Sequence, residues 1–295
     1  AIQNADLLII IGCRLDGRQM GGNSTTFSVC SKKIMVDIDE HELGKMPEKG
    51  VVLDRAIVAD AGTFFCSQAH GTLPTYSAWH TTLLHWRKKY GTEIARRNDH
   101  VVYDYLKTYF AGLPADAVVI PDIGSNLVWT LQSAELAKGQ RLFTNLGNAS
   151  MGFAIPAAIG AAVATGRHIF VVVGDGGLQM NIQELATIRR NNLPIHITVL
   201  DNQGYGMIKQ FQENYFDSRY AATCKQDIYG EHRLQCDDIA SAYGIDKLDH
   251  VHIPETQRIY PKLMHGDSLE NMSPYIEFEE DMIVPVPERK KQGWT

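Results

Sequence analysis

The feature that most constrains the fold is a pair of apolar segments that each end in polar, turn-forming residues. The segment His168–Val173 (HIFVVV) runs directly into Gly174–Gly177 (GDGG), and the segment Pro194–Leu200 (PIHITVL) runs directly into Asp201-Asn202. Each segment has the length and the β-branched content of a buried strand, and the interval between them has room for one helix. A strand, a helix and a second strand in this order predict a right-handed crossover within a parallel sheet.

Both polar turns are then expected at the carboxyl edge of the sheet, where open α/β sheets bind their ligands. The glycines let the backbone approach a ligand closely, and a helix that begins near Leu178 would point its positive N-terminus at the same edge, which suits a phosphate. The Asp175 carboxylate and the Asn202 amide oxygen are hard ligands suited to Mg²⁺, and a carbonyl from the turn Gln203-Gly204 could add a third. These residues together predict a metal-diphosphate site.

Each of these residues also has a plainer interpretation when it is taken singly. Gly and Asp are common in any turn from a strand to a helix, and an Asp or Asn after a strand is often only a helix cap. The prediction therefore depends on the two turns occurring together, each after its own apolar strand.

The alternation of helices and strands extends from residue 99 to about residue 250. The other predicted elements of this part are the strand Ala117–Pro121 and the helices His100–Phe110, Asn126–Ala137, Gly152–Ala164 and Leu178–Asn191. We expect an α/β fold in which a parallel sheet is flanked by helices. The expected domain covers residues 99–295 and ends in a C-terminal tail with one strand after Pro274.

Residues 1–70 predict a smaller, partial α/β domain. Asp6–Gly12 and Lys33–Ile38 are apolar runs typical of buried parallel strands. A lone pair of strands cannot bury two faces, so we expect the natural protein to extend before residue 1. Residues 71–98 combine Gly and Pro with a charged stretch and are interpreted as a linker between the two domains.

The composition argues against several classes of protein. With 28 basic and 34 acidic residues the net charge is −6, which argues against a broad nucleic-acid-binding surface. The longest apolar runs are far shorter than the ~20 residues of a membrane-spanning helix. The five cysteines form no CxxC pair, which is typical of a reducing compartment, and we expect a cytoplasmic protein that contacts neither membrane nor nucleic acid.

The stretch Asn145–Gln212 resembles the diphosphate-binding domain of the acetolactate synthase-like group of thiamine diphosphate-dependent enzymes. The GDG turn, followed at an interval by a pair that ends in Asn, is similar to the cofactor motif of that family, and the segments MGFAIPAAIGA, IQELAT and YGMIKQFQ are its most specific part. Upstream, ADLLIIIGCRLDGR and IMVDIDEHELGK are similar to the second half of the family's central domain. The N-terminal pyrimidine-binding domain of the family has no counterpart in this sequence.

The resemblance implies a role for each position of the motif. Asp175, Asn202 and the carbonyl of Gly204 would hold Mg²⁺. Met151 would be the bulky apolar residue beneath thiamine diphosphate that bends the cofactor, and the Ala149 carbonyl would accept a hydrogen bond from its aminopyrimidine. The other positions that the resemblance assigns to the cofactor are Ile123, Gly124, Ser125, Asn126, Gly174, Gly176, Gly177, Tyr205 and Gly206, of which the first four belong to the loop 122–126.

The sequence departs from the family pattern at three places. Ser125-Asn126 stand where the family usually has Gln-His, Asp201 stands at the first position of the Asn pair, and Phe211 stands where acetolactate synthases usually carry Trp. We expect metal binding to survive the departure at Asp201, because the ligand at the next position, Asn202, is kept. Phe211 would line the substrate pocket and puts the usual choice of acceptor in doubt. Ordinary packing is the plainer interpretation of Phe211 and of Met151, as a helix cap is of Ser125-Asn126.

The resemblance implies decarboxylation of a 2-keto acid, with pyruvate as the expected donor, followed by carboligation to an acceptor carbonyl. In the family, a glutamate on the missing domain activates the cofactor, usually from a partner subunit. Glu184 and Glu213 are candidates by residue type only, so we expect this chain alone to be inactive and a homo-oligomer, dimer or tetramer, to complete the active site. A simple 2-keto acid decarboxylase and a cofactor-binding fragment without catalysis are the alternatives.

The central-domain part also leaves FAD open as a second cofactor. Residues 12–14 (GCR) and 16–18 (DGR) are similar to the flavin-binding loop of some relatives, and Asp37 and Asp39 follow the next strand. A structural Gly-rich turn explains the same residues without a flavin.

Overall fold

The computed structural model describes residues 2–21, 23–67, 75–90, 100–223 and 235–254. The chain divides into two compact units, one that includes residues 1–91 and one that covers residues 92–260. The predicted C-terminal tail and its strand lie outside the described residues, as do residues 71–74 and 91–98 of the predicted linker. Residues 75–90 of that linker contain a helix, Ser77–Tyr90.

The first unit contains a parallel sheet of three strands in the order β1-β2-β3. The strands are β1 (Leu7–Ile11), β2 (Lys32–Asp37) and β3 (Arg55–Val58). Its helices are α1 (Gly17–Met20), α2 (Glu40–Glu48), α3 (Ala61–Ser67) and α4 (Ser77–Tyr90). Strands β1 and β2 confirm the prediction. The expectation of a lone pair of strands is wrong, since β3 pairs with β2 as a third strand. The sequence did not indicate β3 because it has only four residues and is mostly exposed.

The core of the first unit lies on one side of its sheet. Ile10 and Met35 pack there with Leu43 and Met46 of α2. On β1, alternate side chains point away from this core, and Ile9 is 56% exposed. The alternation follows from the two-residue period of a strand.

The second unit contains a parallel sheet of five strands in the order β5-β4-β6-β7-β8. Its strands are β4 (Val118–Pro121), β5 (Arg141–Leu142), β6 (Ile169–Gly174), β7 (Ile195–Asp201) and β8 (Asp249–His252). Its helices are α5 (Val101–Ala111), α6 (Ser125–Ser133), α7 (Ala154–Thr165), α8 (Asp175–Met180), α9 (Glu184–Arg190), α10 (Gly206–Tyr215) and α11 (Cys236–Tyr243). The expected α/β class, with parallel sheets flanked by helices, is confirmed.

The core of the second unit is built around β6, which lies between β4 and β7. Ala154, Ala158 and Ala162 recur every four residues on α7, and all three are buried in the cluster that contains Ile169 and Val171. Residues four apart lie on the same face of a helix, so this face is made of methyl groups. Small side chains let the helix lie close to the sheet, which fixes the segment that precedes α7.

Three predicted helix boundaries are wrong. The helix expected over Leu178–Asn191 is two helices, α8 and α9, and it begins three residues earlier at Asp175. The break begins at Asn181, whose backbone is not helical (φ −134°, ψ 36°). The Asn181 Nδ2 donates a hydrogen bond to the Gly152 carbonyl (2.8 Å). The helix expected over Asn126–Ala137 ends at Ser133, and α7 begins at Ala154 rather than Gly152, since Gly152 has a φ of +81°.

Among the described residues, no helix combines the length and the apolar character that a bilayer crossing requires.

Candidate cofactor site

The carboxyl ends of β4, β6 and β7 meet at one cavity. Gly174 of β6 lies beside Leu200 of β7 in the strand register, so Asp175 and Asn202, which follow these strands, emerge at the same edge of the sheet and line the same cavity. Every residue that the resemblance assigns to the cofactor lines it too, with the exception of Ala149. The sheet therefore brings together three turns that are far apart in the sequence.

Close contacts leave no space for side chains at two glycines of the cavity. A Cβ atom at Gly176 would overlap the ring of Tyr205, and a Cβ atom at Gly177 would overlap Oδ2 of Asp122. Both positions lie in the first turn of α8, whose residues are buried as far as Leu178. A side chain at either position would force the Tyr205 ring or the Asp122 carboxylate to move, and the backbone there borders the cavity directly.

Asp175 is a buried carboxylate whose ionised form is disfavoured. Burial, reinforced by the nearby charge of Asp201, raises the pKa of Asp175 to about 7, although the hydrogen bond from the Gly204 N–H opposes the change. That N–H lies 3.0 Å from Oδ2. A bound divalent cation would stabilise the ionised form, because the charge of an ion dominates the local electrostatics.

The residues present at the cavity suit Mg²⁺ better than a metal held by protein side chains alone. Among the described residues, no group of three or more His, Cys, Asp or Glu is arranged to hold a metal. Asp175, the Asn202 amide and the Gly204 carbonyl could supply oxygen ligands, but these are too few to surround an ion by themselves. Mg²⁺ accepts such a partial set when phosphate and water oxygens complete its shell.

Two hydrogen-bond donors on α6 lie at the cavity without a partner. The Ser125 hydroxyl and the Trp129 indole N–H are both buried and have no hydrogen-bond partner in the structure, and both residues line the cavity. A buried polar group without a partner costs free energy, which a ligand with acceptor oxygens would recover. The cavity thus fits an oxygen-rich group such as a diphosphate.

Trp129 was not predicted as a site residue. It lies one helical turn after Ser125, and residues four apart share a helix face. The signal that could have identified Trp129 is therefore its spacing from the loop 122–126, together with a helix that begins at Ser125. Leu200, Met207 and Ile208 also line the cavity and were not predicted.

Asp201 is turned away from the cavity, although it stands beside Asn202. Its Oδ1 accepts a hydrogen bond from the Gln203 N–H (2.9 Å), and its Oδ2 lies 3.0 Å from His250 Nε2 on β8. The acidic residue at this position of the motif therefore holds the turn that follows β7 and connects it to the neighbouring strand.

Asp122 makes backbone hydrogen bonds, whereas the sequence placed it in a loop that contacts a diphosphate. Its two carboxylate oxygens accept hydrogen bonds from the N–H groups of Gly152 and Ala154, each at 3.0 Å. Burial raises the pKa of Asp122, and these two donors oppose that change. Asn126 is partly engaged as well, since its Nδ2 donates to the Val172 carbonyl (3.2 Å).

Four other residues named from the sequence lie outside the cavity lining. Phe211 is 54% exposed, and its ring centroid lies 4.6 Å from that of Tyr215. Ala149 has a positive φ of 52° and does not line the cavity. Glu184 accepts a hydrogen bond from the Thr187 hydroxyl and Glu213 one from the Tyr220 hydroxyl. The roles of Phe211 and Ala149 stay predictions.

The residues similar to a flavin-binding loop make local contacts. Asp16 Oδ1 accepts a hydrogen bond from the Gln19 N–H (3.1 Å), and Cys13 Sγ lies 3.1 Å from the Gln19 side-chain amide. Asp39 caps α2, and Asp37 accepts a hydrogen bond from the Asp39 N–H (3.0 Å). FAD binding stays a prediction.

Similarities to known proteins agree with this site. Residues 122–266 match the family described as thiamine pyrophosphate enzyme, C-terminal TPP binding domain. The chain is 31% identical over 292 residues to the acetolactate synthase isozyme 2 large subunit of Escherichia coli (strain K12), which covers 92% of this chain and 52% of that protein. It is 30% identical over 296 residues to the isozyme 1 large subunit of the same organism, with 90% and 50% covered.

A third relative is the acetolactate synthase large subunit of Parasynechococcus marenigrum (strain WH8102), 31% identical over 230 residues, with 76% of this chain and 36% of that protein covered. The chain spans about half the length, or less, of these relatives. The matches to the two Escherichia coli proteins cover 90% or more of this chain, so they include the cavity turns and most of the first unit. Residues 122–266 therefore belong to the thiamine pyrophosphate enzyme family, and the chain is similar to acetolactate synthase large subunits over most of its length.

Proposed function

We propose that this chain carries the diphosphate-binding part of a site that uses thiamine diphosphate and Mg²⁺ to decarboxylate a 2-keto acid and to join the product to an acceptor carbonyl. The observation that carries the proposal is the cavity at the ends of β4, β6 and β7, where Asp175 and Asn202 lie beside two glycines at which a Cβ atom would overlap a neighbouring side chain. The relatives named as acetolactate synthases support a carboligation of this type, and pyruvate is the donor that we propose.

Each group at the cavity has a definite task in this proposal. Asp175, the Asn202 amide oxygen and the Gly204 carbonyl hold Mg²⁺, and the backbone at Gly176 and Gly177 meets the diphosphate. The unpaired hydroxyl of Ser125 donates to a phosphate oxygen. Thiamine diphosphate, when bound, supplies the carbon nucleophile and the electron sink that the decarboxylation needs.

Apolar side chains complete the proposed site. Met151, Leu200, Met207 and Ile208 line the same cavity as the polar groups. They exclude water from one side of the bound ligand, which strengthens the electrostatic interactions of Mg²⁺ and of the diphosphate. Met151, which lines the cavity, would contact the part of thiamine diphosphate that lies beyond the diphosphate and would help to orient it.

The catalytic carboxylate and the second subunit are proposed to lie outside this chain. Glu184 and Glu213 are both occupied by local hydrogen bonds, which favours a glutamate from elsewhere. We expect the 295-residue chain alone to show no carboligation and to assemble as a homo-oligomer in the cytoplasm. Light scattering after size-exclusion chromatography measures the assembly directly.

Thermal unfolding with and without ligands tests the proposed function. Mg²⁺ and thiamine diphosphate together should raise the melting temperature more than the sum of their separate effects, because the diphosphate oxygens complete the shell of the metal. A ligand at 100 times its Kd stabilises the folded chain by about 2.7 kcal/mol. Asp175→Ala should abolish the joint effect. Asp37→Ala is the matched control, since Asp37 is also buried at the end of a parallel strand but lies in the first unit, and it should keep the effect.

Two outcomes would contradict the proposal: no joint effect in the wild-type chain, or a joint effect that survives Asp175→Ala. In a protein that includes the N-terminal part, product analysis with and without an acceptor distinguishes carboligation from simple decarboxylation. Loss of carbon dioxide without a ligated product would favour the simple decarboxylase.

A further inference from the structure

We propose that Asp122 is a positioning residue: its carboxylate fixes the backbone on the C-terminal side of Met151 and so holds the Met151 side chain in the cavity. The inference rests on the proposed function, since the position of Met151 matters only if the cavity takes thiamine diphosphate.

Asp122 is itself held rigidly at the end of β4. Its N–H donates a hydrogen bond to the Val172 carbonyl of β6 (2.8 Å), and its side chain is 0% exposed. Its Oδ2 accepts a hydrogen bond from the Gly152 N–H, and its Oδ1 accepts one from the Ala154 N–H. Both oxygens are therefore used on one distant segment, and Asp122 does not line the cavity.

The segment is held from its other side by Asn181. The Asn181 side-chain amide donates to the Gly152 carbonyl (2.8 Å). A Cβ atom at Gly152 would lie 2.6 Å from Cβ of Met180, and Gly152 has a φ of +81°, so only glycine fits there. The N–H and the carbonyl of Gly152 are thus both fixed, one residue after Met151, which lines the cavity.

The negative charge of Asp122 suits this position for a second reason. Ala154 is the first residue of α7, and the preceding residue, Phe153, provides no side-chain cap. The carboxylate of Asp122 satisfies the free Ala154 N–H from another element, and an anion is favoured at a helix N-terminus. A neutral amide of the same shape keeps only one acceptor oxygen and turns an NH₂ group towards an N–H donor, so Asp122→Asn should break one of the two hydrogen bonds.

Two probes separate positioning from general structural damage. We would measure binding of thiamine diphosphate and of inorganic pyrophosphate, each with Mg²⁺, by calorimetry on the whole chain. In Asp122→Asn, the Kd for thiamine diphosphate should rise about tenfold, since the loss affects the part of the ligand beyond the diphosphate. The Kd for pyrophosphate should change less than about twofold, because the glycines and Asp175 are retained.

Met151→Ala is the matched variant at the residue whose side chain Asp122 is proposed to position. It should show the same selective loss as Asp122→Asn, and the double variant should bind thiamine diphosphate no more weakly than Met151→Ala alone, because both changes remove one effect. The positioning role would be overturned if Asp122→Asn raised the Kd for thiamine diphosphate and the Kd for pyrophosphate equally. It would also be overturned if the losses of binding free energy of the two single variants simply added in the double variant.

Hydrogen exchange of the ligand-free chain tests the same role independently of the proposed function. The Gly152 and Ala154 amides should be protected in the wild-type chain, and at least one of them should exchange about tenfold faster in Asp122→Asn, while amides of β7 keep their rates. Unchanged protection of both amides would overturn the proposal even if thiamine diphosphate binds.

If the wild-type chain binds no thiamine diphosphate, the proposed function fails, and the exchange experiment still decides whether Asp122 holds the segment. If Asp122→Asn does not fold, Asn181→Ala carries the same two measurements, because it frees the Gly152 carbonyl without touching the buried carboxylate. It should show the same selective loss to a smaller extent, and equal weakening of both probes would again overturn the role.

Discussion

The two parallel sheets of this chain share a sequence pattern but differ in what surrounds the strand ends. In the first unit, β1 is followed by Gly12 and β2 ends at Asp37. In the second unit, β6 is followed by Asp175 and then by Gly176-Gly177, and β7 ends at Asp201. A Cβ atom at Gly12 would meet nothing within 4 Å, but one at Gly177 would overlap Asp122. A glycine after a strand therefore indicates the edge of a sheet, and crowding around that glycine indicates a site.

The burial of the strands differs in the same direction. All four residues of β4 and most residues of β6 are buried. On β1, by contrast, the Ile9 side chain is more than half exposed. Strands covered on both faces keep their ends in fixed positions, since packed interiors yield little. The second sheet can therefore hold oxygen ligands from separate strands in one place.

The largest expected effect concerns two isoleucines, one in the edge strand β1 and one in the central strand β6. Ile169→Ala on β6 should lower the free energy of unfolding of the second unit by about 2–5 kcal/mol, because the side chain is 0% exposed and a cavity would remain. Ile9→Ala on β1 should lower that of the first unit by less than about 1 kcal/mol. Urea denaturation followed by circular dichroism measures both changes.

The same pair of variants can break the comparison. If Ile9→Ala lowers the free energy of unfolding as much as Ile169→Ala does, the face of the first sheet that carries Ile9 must be covered in solution. Light scattering would then show whether a second copy of the chain covers it. The present contrast between the two sheets would in that case belong to the isolated chain alone.

A smaller effect is expected at two glycines that lie in the first turn of a helix. Gly177→Ala should destabilise the second unit by about 1–3 kcal/mol, because the new methyl group would displace an Asp122 carboxylate that two hydrogen bonds hold in place. Gly17→Ala, at the start of α1, is the control, since a Cβ there meets nothing within 4 Å. It should change the melting temperature little or raise it slightly. Equal destabilisation by both variants would contradict the crowding argument.

The sequence predicted the elements that carry their own signal and missed those that depend on neighbours. The strands β6 and β7, with their glycine and asparagine turns, were predicted within about one residue, because buried apolar runs and Gly are local signals. The strands β5 and β8 were missed, since one has two residues and the other reads DHVH, so that pairing with β4 and β7 stabilises them.

The residues of the cavity show the same difference between local signals and contacts with distant neighbours. Residues in the strand-end turns were predicted to share a site, and the described structure brings them together. Trp129 and the hydrogen bonds of Asp122 were missed, because they depend on where α6 begins and on a contact with Gly152 that no local pattern encodes. Long-range contacts of a buried polar side chain are set by packing, and sequence spacing alone does not identify its partner.

The smallest expected effect differs in sign between the units. Ser31 in the first unit and Ser125 in the second are both buried, but the Ser31 hydroxyl donates to the Ser28 carbonyl (3.0 Å), whereas the Ser125 hydroxyl has no partner in the structure. Ser31→Ala should therefore cost about 1 kcal/mol of unfolding free energy. Ser125→Ala should be neutral or stabilise the ligand-free chain by up to about 1 kcal/mol, because it removes an unsatisfied polar group.

The two serine variants should also differ in how much stability they gain from ligand. With Mg²⁺ and thiamine diphosphate present, the wild-type chain should gain more stability than Ser125→Ala, since the hydroxyl acquires a phosphate oxygen as its acceptor, while Ser31→Ala should gain as much as the wild type. Paired melting curves of the two variants, with and without both ligands, measure this. A loss of stability in ligand-free Ser125→Ala comparable to that in Ser31→Ala would mean that the Ser125 hydroxyl is already satisfied, and the cavity would then lose one of the two donors that make it suited to an oxygen-rich ligand.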